Sequence, residues 1–148
     1  MAVHMTEYLR QELLELGTDP EQFIAEFKEW KSRGQAGEDD HYYFGKDGDY
    51  ARPLVNGKRV LRHVHLIPSD DSSSLAEWDL AWKRKRKRVS DTALVYADRG
   101  RDRYLLIAIL WEPAAHDIAD MNTQENSDLM HSFANVAEQF IFNGTIAI

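Results

Sequence analysis

Apolar residues recur at helical spacing in the first part of the chain and predict two helices. Over residues 6–17 they form one stripe, with Thr6 as a cap before it and Gly17 as a stop after it. A second helix over residues 18–34 opens on Asp19, a capping residue, followed by proline at the first helical position. The apolar positions of the two helices are Leu9, Leu13, Leu16, Phe23, Ile24, Phe27 and Trp30. Two short helices with apolar faces require a sheet to pack against.

The first predicted strand, over residues 60–67, has a period of two, which places His63 and His65 on one face. Two imidazoles at this spacing can bind a metal ion, or one of them can transfer protons near neutral pH. A metal would need further ligands, and no zinc-type spacing links the pair to His116 and Asp117. One hydrogen-bonded and one surface histidine is the simpler interpretation.

Two long apolar runs, residues 92–97 and 104–111, predict strands that are joined by a hairpin loop. The second run has almost no polar residue, so we expect a central strand, buried on both faces, with helices on one side. An amphipathic helix is predicted over residues 127–142. Glycines and prolines break the pattern over residues 34–57, which predicts a loop. Residues 75–82 fit a short helix or an irregular anchor.

Strands grouped together, with helices at both ends, predict an α+β domain with an antiparallel sheet of about four strands. A length of 148 residues fits a single domain spanning 1–148. The chain has no cysteine, which excludes disulfides, thiolate metal sites and a cysteine nucleophile. It also lacks a run of ~20 apolar residues and a secretory pattern at its start. We therefore expect a cytoplasmic protein with no membrane partner.

The net charge of −7 is unevenly distributed, because residues 1–50, 51–110 and 111–148 carry −7, +6 and −6. The middle segment contains six consecutive cations, which are Lys83, Arg84, Lys85, Arg86, Lys87 and Arg88. Such a run is often a solvated loop or a localisation tract. Its position directly before a core strand favours an RNA-binding arm that neutralises phosphates. The nearby Trp78 and Trp82 could stack on bases, although at least one is expected to anchor the core.

Cleaving RNA without a metal requires a base for the 2′-hydroxyl, a cation for the charged transition state and an acid for the leaving 5′-oxygen. The chain supplies histidine, carboxylate and cationic side chains of these types in His65, Lys87, Arg88, Asp91 and His116. Most domains contain such residues, so residue types alone leave the function open.

Several segments resemble, in their order and spacing, the YafO family of toxins. They cover roughly residues 20–142, so the similarity is not confined to one short motif. In the N-terminal half the segments are Ala25-Glu26-Phe27 with Trp30-Lys31 and Gly34, Phe44-Gly45-Lys46-Asp47 with Pro53-Leu54, and Val64-His65-Leu66. In the C-terminal half they are Lys87-Arg88, Asp91, Leu94-Val95-Tyr96, the apolar run 105–110 with Pro113 and His116, and Ala137-Glu138 with Phe140.

The resemblance implies a RelE-like fold with two N-terminal helices, the sheet and a C-terminal amphipathic helix. It also implies a type II toxin that cleaves mRNA on the translating ribosome, uses no cofactor and is neutralised by a cognate antitoxin. By carry-over, the site residues are His65, Lys87, Arg88, Asp91, Tyr96 and His116. We expect His65 or His116 to transfer protons, Lys87 and Arg88 to hold phosphate, and Asp91 to orient a cation or a histidine. Tyr96 fits a core position as well as a functional one.

Two other classes of function remain open. A non-catalytic module could block translation by occupying RNA or a ribosomal site, and substitution of His65 or His116 would then leave its action intact. An interaction domain that serves mainly as the partner of an antitoxin would tolerate the loss of every proposed site residue. The RNA arm of residues 83–86 would matter to the first of these alternatives and not to the second.

Overall fold

A computed structural model describes residues 1–33, 41–68, 72–84 and 88–147, with only the backbone for residues 72–74. These residues form five helices, a five-stranded sheet and a small two-stranded hairpin. The helices are α1 (Glu7–Glu15), α2 (Pro20–Ser32), α3 (Ser72–Lys83), α4 (Ala115–Ala119) and α5 (Gln124–Asn143). The strands are β1 (Ala2–Met5), β2 (Phe44–Asp49), β3 (Leu54–Val55), β4 (Lys58–Arg59), β5 (Arg62–Leu66), β6 (Ala93–Asp98) and β7 (Arg103–Leu110).

The main sheet has the strand order β1-β7-β6-β5-β2. Strands β7, β6, β5 and β2 pair antiparallel, and only β1 runs parallel to its neighbour, β7. The smaller hairpin pairs β3 with β4. The prediction of an α+β fold with a mostly antiparallel sheet and a C-terminal helix is therefore confirmed.

Two elements differ from the sequence-based expectation at the edges of the sheet. The prediction of loop over residues 34–57 is wrong for Phe44–Asp49, which forms the edge strand β2, and for the β3–β4 hairpin. Glycines at positions 45 and 48 hide β2 in the sequence, but an irregular edge strand tolerates them. Strand β1 is only four residues long, too short for its period to be visible.

Helices cover both faces of the sheet, so the expectation of helices on one side of β7 is wrong. Side chains of α1 and α2 form one core with Val64, Leu94 and Leu106 of the strands. Side chains of α5 form a second core on the other face, with Val95, Leu105 and Ile107. Both sides of β7 need an apolar cover, since almost all of its side chains are buried. None of the helices in the described ranges is long and apolar enough to span a membrane.

Local capping explains where the helices begin. The Thr6 hydroxyl accepts a hydrogen bond from the Leu9 N–H at 3.1 Å and donates one to the Ile107 carbonyl at 2.7 Å. One side chain thus caps α1 and ties it to the central strand. Asp19 caps α2 in the predicted manner, and the segment that fitted either a helix or an anchor forms the helix α3.

Candidate functional site

The two histidines of β5 lie on one face of the sheet, as their spacing predicts. In the register of the sheet, His65 lies opposite Ala93 of β6, and His63 lies between Gly48 of β2 and Val95 of β6. Their neighbour Val64 belongs to the core beneath α1 and α2. Because side chains alternate along a strand, the imidazoles project to the opposite face, the one that α5 covers.

A pocket of about 70 Å³ opens beside these histidines. Side chains from four separate parts of the chain converge on it. Its polar and aromatic lining consists of Tyr50, His63, His65, Ser90, Asp91 and His116. A wider depression of about 390 Å³ shares three of these residues, so the pocket opens directly onto the surface between α3 and α4. We call the smaller space the histidine pocket.

His65 is held in a defined orientation by Ser90. Its Nδ1 lies 2.7 Å from the Ser90 carbonyl oxygen and 3.2 Å from the Ser90 backbone nitrogen. In the tautomer with the ring proton on Nδ1, which makes the shorter of these contacts a hydrogen bond, Nε2 is the acceptor. Burial lowers the pKa of His65 and the charge of Lys46 lowers it further, while the Ser90 carbonyl and Asp91 oppose the shift. The imidazole is therefore neutral at physiological pH, the state that a proton acceptor requires.

His63 is more firmly neutral. Its ring stacks on Tyr50, with 4.1 Å between the ring centroids and 19° between the ring planes. Burial, followed by the neighbouring His65, lowers the pKa of His63 to about 4. Its Nδ1 is buried and has no hydrogen-bond partner among the residues that the structure describes. His63 thus forms the inner wall of the pocket and contacts the ring of His65 edge-on.

Asp91 and His116 form the outer wall. The His116 backbone N–H donates a hydrogen bond to Asp91 Oδ1 at 2.8 Å, which ties the first turn of α4 to the start of β6. The imidazole of His116 is 81% exposed, and its Nε2 lies 3.3 Å from Asp120 Oδ2. The pocket therefore combines one oriented, partly buried histidine with one exposed histidine that reaches solvent.

Arg88 does not join this pocket. Its side chain is fully buried, and the guanidinium donates hydrogen bonds to the carbonyls of His41 and Phe44, the latter at 2.9 Å. It also lies 5.6 Å and 5.0 Å from the ring centroids of Trp78 and Trp82. The structure thus places Arg88 inside the protein, where it connects backbone segments, rather than beside the histidines.

Tyr96 projects to the opposite face of the sheet. Its hydroxyl donates to Asp47 Oδ1 at 2.6 Å and accepts a hydrogen bond from Arg62 Nε at 3.1 Å. Lys31 of α2 approaches the same carboxylate at 3.1 Å. Burial, followed by the charge of Asp47, raises the pKa of Tyr96, which keeps the phenol protonated. This buried polar network belongs to the core beneath α2 and is separated from the histidine pocket by the sheet.

The described part of the cationic run lies at the end of α3. Lys83 and Arg84 are exposed, whereas Lys85, Arg86 and Lys87 lie outside the described residues. Trp78 is buried and donates its indole N–H to the Tyr42 carbonyl at 2.8 Å, so it is the core anchor that the sequence predicts. Trp82 is partly exposed and packs edge-on against Tyr42.

The chain is also similar in sequence to a known family of proteins. A sequence model of the toxin YafO of type II toxin–antitoxin systems matches residues 28–142, from within α2 to the end of α5. The chain belongs to the YafO toxin family. The matched region contains the whole histidine pocket, and membership of the family implies a cognate antitoxin as a partner. Neither the curated proteins nor the solved structures yield a match to the chain.

In this YafO-family chain, three residues near the pocket were not among the predicted site residues. Tyr50 stacks on His63, and Ser90 orients His65. The third, Lys46, is an exposed cation on β2 whose charge acts on both histidines. The sequence signal for Lys46 is its place in the segment Phe44-Gly45-Lys46-Asp47, which is one of those that resemble the family. In the described ranges, no group of three or more His, Cys, Asp or Glu side chains is arranged to hold a metal ion.

Proposed function

We propose that this chain is a toxin that cleaves mRNA on the translating ribosome and so inhibits translation, with protein side chains transferring the protons. Family membership supports the toxin, and the histidine pocket supports the nuclease. The observation that carries the proposal is the meeting of an oriented neutral histidine, His65, with an exposed histidine, His116, in one pocket. The bound ribosome would place the message across this pocket, in the cytoplasm.

The reaction starts from the neutral state of His65. His65 accepts the proton of a ribose 2′-hydroxyl at Nε2, and the 2′-oxygen attacks the adjacent phosphorus. The bond from phosphorus to the 5′-oxygen breaks, and His116 donates a proton to that oxygen. The products are a 2′,3′-cyclic phosphate and a 5′-hydroxyl, and no cofactor takes part. Asp91 positions the acid by holding the backbone of His116.

The test is mapping of mRNA 5′-ends in cells shortly after induction of the protein. We expect new ends inside coding regions with the wild type and their loss with His65→Ala or His116→Ala. His131→Ala is the matched control, since His131 is an exposed histidine on α5 whose ring bonds only within its own helix. The control variant should cleave like the wild type.

Halted protein synthesis with an unchanged set of mRNA ends would contradict the nuclease proposal. That outcome would identify a module that blocks translation by occupying RNA or the ribosome. Cleavage that persists in both histidine variants would instead place the active site elsewhere.

A further inference from the structure

Cleavage by the proposed route needs a cation at the phosphate, and the described lining of the histidine pocket contains no lysine or arginine. The neighbouring strand β2 carries an exposed cation, Lys46. Strand β2 pairs with β5 through Phe44 opposite Leu66 and Asp47 opposite Val64, so one extra residue is accommodated between the two pairs. Such a β-bulge changes the direction of the side chains within it. Phe44 and Asp47 both face α2, where Asp47 binds Lys31. The bulge leaves Lys46 exposed within electrostatic reach of both histidines.

The bulge is held by contacts that leave little freedom. The Lys46 N–H donates to the Arg88 carbonyl at 2.9 Å, and the Arg88 guanidinium donates to the Phe44 carbonyl at 2.9 Å. A Cβ atom at Gly45 would lie 2.3 Å from the Arg88 carbonyl oxygen and 2.9 Å from the Trp78 ring. Only glycine allows the strand to approach residue 88 this closely. The buried arginine thus fixes the backbone from which Lys46 projects.

The Lys46 ammonium is available for a ligand. The side chain is exposed, and no carboxylate within the described ranges forms an ion pair with it. Among the charges that act on His65, Lys46 is the cation and Asp91 the anion. His63 experiences Lys46 and Arg62 as cations and Asp47 as an anion, but Asp47 and Arg62 already bind each other at 3.0 Å.

We propose that Lys46 binds the scissile phosphate at the histidine pocket, and that Arg88 is a positioning residue that holds the bulge of β2. This inference rests on the proposed nuclease function. The ammonium would bind a non-bridging oxygen and stabilise the charge that develops as the 2′-oxygen attacks phosphorus. It transfers no proton in this role. The same positive charge disfavours protonation of His65, so binding of the phosphate and neutrality of the base have a common source.

Binding is tested first with the isolated protein and inorganic phosphate, without reference to cleavage. The probe is the histidine NMR resonances during a phosphate titration of the wild type, Lys46→Met and Lys46→Arg. We expect saturable shifts at His65 in the wild type and the arginine variant, and their loss in Lys46→Met. The control is Lys28→Met, because Lys28 is an exposed lysine on α2, at the opposite face of the sheet. An adventitious response would be identical in all four proteins and would overturn the assignment.

The same samples test how the charge of Lys46 affects the pKa values of the two histidines. In a pH titration, the pKa values of His65 and His63 should be higher in Lys46→Met than in the wild type, because a nearby cation is lost. In Lys46→Arg the two pKa values should be unchanged. Unchanged pKa values in Lys46→Met would show that the ammonium does not face the pocket.

Cleavage on programmed ribosomes provides the kinetic test. Removal of one such stabilising group typically costs about 10²–10³ in rate, so Lys46→Ala should lower kcat by that order with a smaller change in KM. Lys46→Arg should recover part of the loss, and Lys28→Ala should behave as the wild type. Full activity of Lys46→Ala beside an active wild type would overturn this inference alone. An inactive wild type would contradict the proposed nuclease function. The phosphate titration would then be the test of whether Lys46 binds phosphate.

Discussion

At the scale of single residues, burial and orientation determine the chemistry of this pocket more than residue type does. His63 and His65 are two residues apart on one strand, yet one stacks on Tyr50 and the other bonds to Ser90. Both are held neutral, and only His65 has its ring fixed by a backbone carbonyl. The wall-forming role of His63 and the catalytic role proposed for His65 follow from these different partners.

The low pKa of His63 predicts that the protein loses stability in mild acid. Its folded-state pKa of about 4 lies below the ordinary value of 6.5, so the unfolded chain binds the proton first as the pH falls. The contribution is complete above pH 6.5 and is lost as the pH falls to about 4. A shift of this size corresponds to roughly 2–3 kcal/mol at most.

Urea unfolding at pH 7 and at pH 4.5 measures this effect. The wild type should lose more free energy of unfolding between the two pH values than His63→Gln does. His131→Gln, at an exposed position, should lose as much as the wild type. Equal losses in the wild type and in His63→Gln would show that His63 does not determine the loss of stability in acid. His65 and His41 also contribute to that loss, because their pKa values are lowered as well.

Arg88 offers a second test at this scale, because a role in structure and a role at the phosphate predict different results. Arg88→Met removes the donor of the buried Phe44 carbonyl and of the partly buried His41 carbonyl, and should cost about 1–3 kcal/mol of unfolding free energy for each acceptor left unsatisfied. Arg84→Met, at an exposed position, should cost about 0.5 kcal/mol or less. Chemical denaturation checks both. Wild-type stability of Arg88→Met with lost cleavage would favour a direct role at the substrate.

At the scale of elements, the edge strand β2 connects the pocket to the core. Phe44 and Asp47 lie on the α2 side of the sheet, and Lys46 in the bulge between them is exposed. The close approach of Gly45 to residue 88 constrains this strand sterically. The irregularity of β2 therefore comes with close packing rather than poor packing.

Gly45→Ala should destabilise the protein by about 1–3 kcal/mol, because the added methyl group meets backbone and an indole ring that cannot both move. Gly48→Ala is the matched control on the same strand. There the nearest atom is His63 Cε1 at 3.9 Å, an ordinary contact. Thermal unfolding of the two variants compares them. A tolerated Gly45→Ala would show that β2 can move away from residue 88 and that the bulge is not fixed.

At the scale of the whole molecule, charge is distributed by region. The two acidic ends of the chain supply α1, α2 and α5, which cover the two faces of the sheet. The basic middle supplies α3 and the cationic run, of which Lys83 and Arg84 are exposed. The depression beside the pocket includes Glu77 of α3 and Asp91. Positive charge is therefore concentrated in one region of a molecule that is acidic overall.

Replacement of residues 83–86, the predicted RNA arm, by alanine should weaken ribosome or RNA binding. The slope of log affinity against log salt should fall by about 0.7–0.9 for each lost phosphate contact. Filter binding at several salt concentrations checks the slope, and an unchanged slope would remove the RNA arm.

Several features followed from the sequence because they depend on local order alone. Period and capping predicted α1, α2 and α5, and alternation placed His63 and His65 on one face. The spacing of the apolar strand, Pro113 and His116 supported the family, which the match to residues 28–142 confirms. These properties are determined within a few turns or strands, where neighbouring residues control the backbone.

Only the tertiary structure decided which of the candidate residues meet. His65, Asp91 and His116 come together through pairing of β5 with β6 and a hydrogen bond between segments 25 residues apart. Arg88 and Tyr96 had suitable side chains but became buried, because apolar and polar partners from distant segments surrounded them. Strand β2 formed despite its glycines, since a neighbouring strand supplied its hydrogen bonds. Burial and long-range strand pairing depend on the whole chain, so no local sequence pattern predicts them.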